Sequence, residues 1–308
     1  MTKTKTQKKN IIGLVLMGLL LLCLFFFQDI YPAMQDGLKL CYTTIIPSLF
    51  PFMVLSDLFS SAHFMLPNRK NANLFSRLFH QSPNASFAFL VGMLCGFPLG
   101  VREVCRLYRE KLISHEQANH LLGFLSCASP SFVIFGIGLG LRDSLKEGIY
   151  LYLIQVSLAC VIGIATRPKK QGAQPMAEHP SDFAISLPKA VASSVSGILS
   201  VCGMICVFSV LTAILSHLLP AGLTDYLAIF LEITGGAERI SHSFVQNKAL
   251  SFALTSAGIC FSGFSVHTQA AIFIIDTDLS YTHYLKSKCF ASAFGFLLGY
   301  ALYECGLV

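Results

Sequence analysis

The side chains able to do chemistry are gathered in a few short stretches, each set in apolar sequence. The first is Gly96-Phe97-Pro98-Leu99-Gly100, followed by Arg102. A guanidinium binds a carboxylate bidentately, so Arg102 could face an anionic solute. Equally, it opens a basic run, Arg102, Arg106, Arg109 and Lys111, of the kind that flanks a membrane span. The second stretch is Ser126-Cys127-Ala128-Ser129-Pro130-Ser131. If Ser129, Pro130 and Ser131 start a half-helix, its free amides attract anions, at about 0.3–1 kcal/mol each. The alternative is a Pro kink packed by serines. The third is Glu232-Ile233-Thr234-Gly235-Gly236. A buried acid at the bilayer centre costs about 2.5–3.5 kcal/mol, so Glu232 should face a cavity or a partner. It could hold a coupling Na⁺ or proton, or be a surface residue at a helix end. The last is Gly263-Phe264-Ser265-Val266-His267-Thr268-Gln269. Ser265, His267, Thr268 and Gln269 can all hydrogen-bond a heteroaromatic or carboxylate ligand, or else stitch helices together.

The candidate solute-binding set is therefore Gly96, Phe97, Pro98, Gly100, Arg102, Ser129, Pro130, Ser131, Glu232, Thr234, Gly263, Ser265, His267, Thr268 and Gln269. No catalytic set and no metal-ligand set stands out. No P-loop, H-E-x-x-H or G-x-S-x-G motif is present, which argues against an ATP-driven pump and the common hydrolases. An intramembrane enzyme built on Cys127, His267 or Glu232 lacks any recognised nucleophile–base spacing, so no enzyme is expected.

The elements that position these residues must suit lipid. Of 308 residues, 54% are hydrophobic and 12% charged, against about 25% charged in soluble domains. The mean hydropathy is +0.64. The net charge of +6 comes from short basic clusters between apolar runs, a pattern that orients a membrane protein rather than one that binds nucleic acid. The eleven cysteines form no C-x-x-C pair and read as small packing residues.

Lys3, Lys5, Lys8 and Lys9 precede the apolar stretch 11–27, with no small-x-small cleavage site close behind. This predicts an uncleaved first span with a cytoplasmic N-terminus and an external loop to residue 37. A second span, 38–58, should be kinked by Pro47 and Pro51. The loop with Arg69, Lys70, Arg77 and His80 should be cytoplasmic, so the Asn84-Ala85-Ser86 sequon is discounted. Segment 86–100 is too short to cross and has basic residues on both sides. It reads as a re-entrant hairpin with a Gly/Pro tip, tolerated only when buried in protein or lining a wet cavity.

Ser114 and Gln117 form a capping box. The helix after it should run to about residue 141, interrupted at 126–131. A turn at 142–147 should be external, and 148–165 crosses back to Arg167, Lys169 and Lys170. Residues 171–185, with Pro175 and Pro180, read as a cytoplasmic linker. The second half gives a long span 187–219, short segments 226–233 and 249–263, and a final helix 284–303. Segments 91–98 and 258–265 both end near Gly-Phe, and the halves begin in opposite directions. The fold class expected is all-α: a polytopic membrane protein of two inverted repeats, each with a re-entrant hairpin and an interrupted helix. The units are 1–37 (first helix and external loop), 38–170, 171–185 (linker) and 186–308. Paired interrupted segments point to a transporter's substrate site.

These motifs stand in a familiar order. Pro47-Ser48-Leu49-Phe50-Pro51-Phe52, Gly96-Phe97-Pro98-Leu99-Gly100-Val101-Arg102, Phe124-Leu125-Ser126-Cys127-Ala128-Ser129-Pro130-Ser131-Phe132, Leu231-Glu232-Ile233-Thr234-Gly235 and Phe261-Ser262-Gly263-Phe264-Ser265-Val266-His267-Thr268-Gln269 together resemble the YlbJ-like sporulation integral membrane proteins, over about residues 38–275. That family carries the nucleoside-recognition or Gate domain and looks like the concentrative nucleoside transporters. The family's hairpin more usually reads Gly-Tyr-Pro with Lys in place of Arg102, and Asn more usually precedes the Pro of its broken helix. The resemblance implies transport of dipicolinic acid across the outer forespore membrane. The reading is thus a secondary transporter or facilitator of a small anionic or heteroaromatic solute in the lipid bilayer. It needs no cofactor beyond a coupling Na⁺ or proton and leaves a homo-oligomer open. The alternative is a non-transporting scaffold or assembly factor in spore-envelope formation.

Overall fold

The computed structural model describes residues 13–14, 17–18, 20–61, 69–83, 85–168 and 186–308. The N-terminal lysines, Lys169, Lys170 and the expected linker 171–185 lie outside the described residues, as does part of the expected first span. The described chain is all-helical, with no strand among the described residues.

Residues 20–25 are helical and lead through a turn at Phe26 into α1, Phe27–Leu40. A π-helical turn, Cys41–Ile45, joins α1 to α2, Ile46–Ser61. The external loop expected up to residue 37 is therefore helix. Its amphipathic sequence, with Gly37 buried, gives it a face that packs on a neighbour. Segments Phe27–Ile45 and Leu49–Phe59 meet at 55°, the kink expected where Pro47 lacks its amide. Helix α3, Arg69–Phe79, occupies what the sequence suggests is a basic loop.

Two short helices follow, α4 (Ala85–Leu94) and α5 (Leu99–Arg109), folded back on each other as a hairpin with its tip at 95–98. Gly96 takes a left-handed φ of +82° there. Helix α6, His115–Leu122, opens on the expected capping box. The chain then loses regular structure over 125–129 and resumes as a π-helix, Ser131–Leu141. Helix α7, Leu145–Ala165, returns antiparallel to this interrupted span. Gly148 lies on Gly138, Gln155 bonds Ala128, and Gly163 receives His120. The interrupted span therefore runs straight along an intact helix.

The second half repeats the order. Helix α8, Leu187–Leu218, is 32 residues long and antiparallel to α1–α2: Asp29 meets His217, Gly37 meets Cys206, and Asp57 meets Ser194. Helices α9 (Ala221–Leu231) and α10 (Ile233–Ser243) form a second hairpin with Glu232 at its tip. Helices α11 (Lys248–Phe261) and α12 (Gly263–Ile274) are one span interrupted at Ser262, whose φ is +83°. Helix α13, Tyr281–Glu304, runs antiparallel beside it, from Tyr284 against His267 to Tyr303 against Phe252.

This corrects the expected second hairpin. Segment 249–263 is not a re-entrant piece with its tip at Gly263; it is the first part of a through-span. The hairpin of this half is α9–α10, formed by the segment that opens on 226–233. The likeness between 91–98 and 258–265 thus pairs a hairpin tip with a helix break.

Among the described residues three helices are long and apolar enough to cross a membrane: α7, α8 and the combined α11–α12. The bent pair α1–α2 passes the same test as one span. The hairpins enter from opposite ends. Hairpin α4–α5 opens at the end where the loops near 110 and 278 meet, through Tyr108 to Asp278 (2.7 Å) and Arg109 to the carbonyl of Phe273. Hairpin α9–α10 opens at the other end, near Arg142, which bonds Ser251 and Thr255 of α11.

Glycines set how tightly the hairpins close. A Cβ on Gly100 would lie 2.2 Å from the Leu125 carbonyl oxygen, and one on Gly236 would lie 2.2 Å from Ile229 Cα. Gly100→Ala and Gly236→Ala should each lower the unfolding free energy by about 1–3 kcal/mol. Gly203→Ala, with nothing within 4 Å, should be neutral. Equal denaturation midpoints for all three in detergent would show that the hairpins are not packed this way.

Candidate functional site

Each hairpin tip abuts a helix break. Gly96 lies against Ser129 at the first break, so close that a Cβ would meet the Ser129 amide nitrogen at 2.6 Å. Gly263 at the second break lies against Ile233 and Glu232 of the other tip. Only residues tolerant of left-handed φ and close backbone contact fit here, which is why glycine occupies both places. The four features enclose a small cavity of about 30 Å³. Of the candidate residues, Phe97, Ser129, Glu232, Thr234, Ser265 and Gln269 line it. Ile45, Leu49, Val201 and Ile205 close it from the π-helical turn, α2 and α8.

Glu232 is 4% exposed and sits at the N-cap of α10. Its carboxylate accepts from the amides of Thr234 (3.0 Å) and Gly235 (2.7 Å). A carboxylate at a helix N-terminus satisfies orphan amides and offsets the dipole, which explains how the acid is accommodated inside the bundle. Two such bonds leave acceptor capacity on its oxygens. Glu232 also borders a larger vestibule of about 440 Å³ between α1, α8 and the second hairpin. That vestibule is lined by Asp36, Asp225 and Glu238 as well as Arg239 and His242. Glu232 is thus the side chain shared by the inner cavity and the outer vestibule.

At the first break, Ser129 Oγ caps the amide of Phe132 (3.3 Å) and meets Ser131 Oγ (3.1 Å). Gln155 of α7 pairs with both the amide and the carbonyl of Ala128, so the opened backbone is held by a neighbouring side chain. Ser131 and Pro130 frame the start of the π-helix and do not line the cavity. At the second break, His267 Nδ1 lies 2.9 Å from the Tyr284 hydroxyl, while His267 Nε2 and Gln269 Oε1 are buried without a partner. Such orphans are rare in native interiors. Thr268 turns away, donating to the Ser265 carbonyl and facing Met204 of α8.

Arg102 is not at the cavity. It forms an ion pair with Asp57 of α2, and Ser194 of α8 also donates to Asp57 (3.3 Å). It lies about one turn into α5, and its guanidinium is taken up by Asp57 rather than turned into the cavity. Pro98 and Gly100 likewise serve hairpin packing. Sequence reasoning missed Lys288, buried on α13, which donates to the Ser126 carbonyl and to Ser262 Oγ (3.2 Å). A lysine inside an apolar helix is expensive in lipid and was itself a signal.

The Arg102–Asp57 pair, with side chains 20% and 14% exposed, leaves a partly buried carboxylate without its cation when Arg102 is removed. Arg102→Ala should destabilise by about 1–3 kcal/mol, and Asp57→Ala added to it should restore part of the loss. Strictly additive effects in this double-mutant cycle would dismiss the pair as a structural tie.

No family model and no solved structure matches this chain. The sporulation integral membrane protein YlbJ of Bacillus subtilis (strain 168) does match, 26% identical over 328 aligned residues that cover 90% of this chain and 79% of the relative. Apolar helices long enough to span and this integral membrane relative together support a place in a membrane; the relative's name places it, in its own organism, in sporulation. The match bears out the resemblance drawn from the motifs: along nine-tenths of its length the chain is similar to the YlbJ-like sporulation integral membrane proteins.

Proposed function

We propose that the chain is a secondary transporter or facilitator of a small heteroaromatic or anionic solute, with dipicolinic acid in sporulation as the leading substrate. One observation carries this reading. Both hairpin tips and both helix breaks converge on one buried cavity, which meets an open vestibule at Glu232. Interrupted helices at mid-depth are the usual place for a transported solute. Unpartnered Gln269 Oε1 awaits a donor from such a solute, and Phe97 and Phe132 offer ring faces.

The recurring order of hairpin, interrupted span and intact helix, with opposite directions in the two halves, supports two inverted repeats, 38–170 and 186–308, joined by a linker. The first unit then ends near residue 37 as helix rather than loop. A cytoplasmic N-terminus and the outer forespore membrane as the site of action belong to the same proposal.

The chemistry sets a condition. Among the described residues lining the cavity there is an acid and no cation, and the vestibule is rich in carboxylates. An anionic solute passes only with its charge offset, by a proton on Glu232 or by a cation bound to the solute. Thermal shifts of purified protein with dipicolinate, alone and with a divalent cation, against a nucleoside, test this. Dipicolinate should stabilise the protein, and Gln269→Ala or Ser129→Ala should weaken it roughly tenfold, about 1.4 kcal/mol. Arg102→Ala should leave the apparent affinity nearly unchanged. Folded protein that binds none of these solutes, and moves none into proteoliposomes, would end the transport reading.

A further inference from the structure

Lys288 has no part in the solute site, yet it joins the two helix breaks. Its ammonium donates to the carbonyl of Ser126, just past α6, and to Oγ of Ser262, the C-cap of α11. Both oxygens stand at the C-terminal ends of half-helices, where the dipole is negative. Freed carbonyls and half-helix C-termini are the groups with which broken helices hold a coupling cation. Among the described residues no carboxylate lies within ion-pair distance of Lys288. Its charge is met by oxygen dipoles alone, the ligand type a hard metal ion takes. A void of about 10 Å³, the room of about one water, is bounded by Cys127, Gln155, Cys260 and Lys288 itself.

We propose that Lys288 occupies the cation seat between the two breaks, so that the protein needs no sodium ion there and works without one. The seat is a distinct site from the solute cavity, and its consequence for transport rests on the reading above. The titratable groups around it are Cys127 from the first break, Cys260 from α11, Tyr284 one turn back on α13, and His267 of α12 through its bond to Tyr284. No acid from any of these elements competes for the lysine.

The test compares melting of the purified protein in sodium chloride and in choline chloride at equal ionic strength. Wild type should melt alike in both. Lys288→Ala, or Lys288→Ser if the alanine variant does not fold, should acquire a saturable sodium-specific rise of about 5 °C, as binding to the native state alone requires. Lys288→Arg, which keeps a cation, should fold and stay indifferent to sodium. A sodium-specific rise in wild type or in Lys288→Arg overturns the proposal, as does its absence from a folded neutral variant. This readout involves no solute, so it separates failure of the seat from failure of the transport reading. In proteoliposomes, wild-type uptake in choline should lie within about twofold of that in sodium; uptake only in sodium overturns the seat, while uptake in neither counts against the transport reading alone.

Discussion

The structure depends on one constraint: backbone opened inside an apolar bundle must find partners within the protein. The first break is open over 125–129, and several of its freed groups find partners in side chains. Gln155 takes the amide and carbonyl of Ala128, Lys288 takes the carbonyl of Ser126, and Ser129 caps its own following turn. The second break is narrower, two left-handed residues at Ser262 and Gly263, and Glu232 performs the equivalent service at the hairpin beside it. The intact helices α7 and α13 act as splints along the two interrupted spans. Small residues make the splinting possible, since Gly138 on Gly148 and Gly295 on Cys260 let backbones approach where larger side chains would hold them apart.

The two ends of the bundle differ. The vestibule reaches Glu232 from the end where the second hairpin opens. At the other end the Arg102–Asp57 pair, with Ser194, ties the first hairpin to α2 and α8. The two ends thus differ in chemistry: one presents a vestibule rich in carboxylates, the other an ion pair between α5 and α2. A bundle able to exchange these roles would need the pair to part and the second hairpin to settle onto α1 and α8.

Much of this was legible before any coordinates. Apolar runs separated by basic clusters gave the helices, and the capping box at Ser114 placed the start of α6. Short length plus Gly and Pro exposed the first hairpin, and Ser126 to Ser131 exposed the first break. Legibility failed where the period alone cannot tell a turn from a continuation. Phe261-Ser262-Gly263 reads like a hairpin tip, but its left-handed residues shift the helix path without reversing it. The reversal at Glu232 carries no Gly or Pro at the turn; the acid itself replaces them by capping α10. Arg102 reaches Asp57 rather than the cavity because its distance from the tip, not its charge, decides what it meets. Lys288 was passed over because lysines at the start of a final helix look like interface residues, and its depth emerges only from how α13 lies against α11.

Helix α8 carries a consequence of its own. Its 32 residues make a rod about 48 Å long, against a hydrocarbon core of about 30 Å. Such an excess is absorbed by tilt, by ends reaching into the headgroups, or by local thickening of the lipid. Because α1 and α2 are laid along the whole of this rod, any change in its inclination moves the wall that Val201 and Ile205 present to the cavity. A change in bilayer thickness large enough to alter that inclination would therefore also be felt at this wall of the cavity.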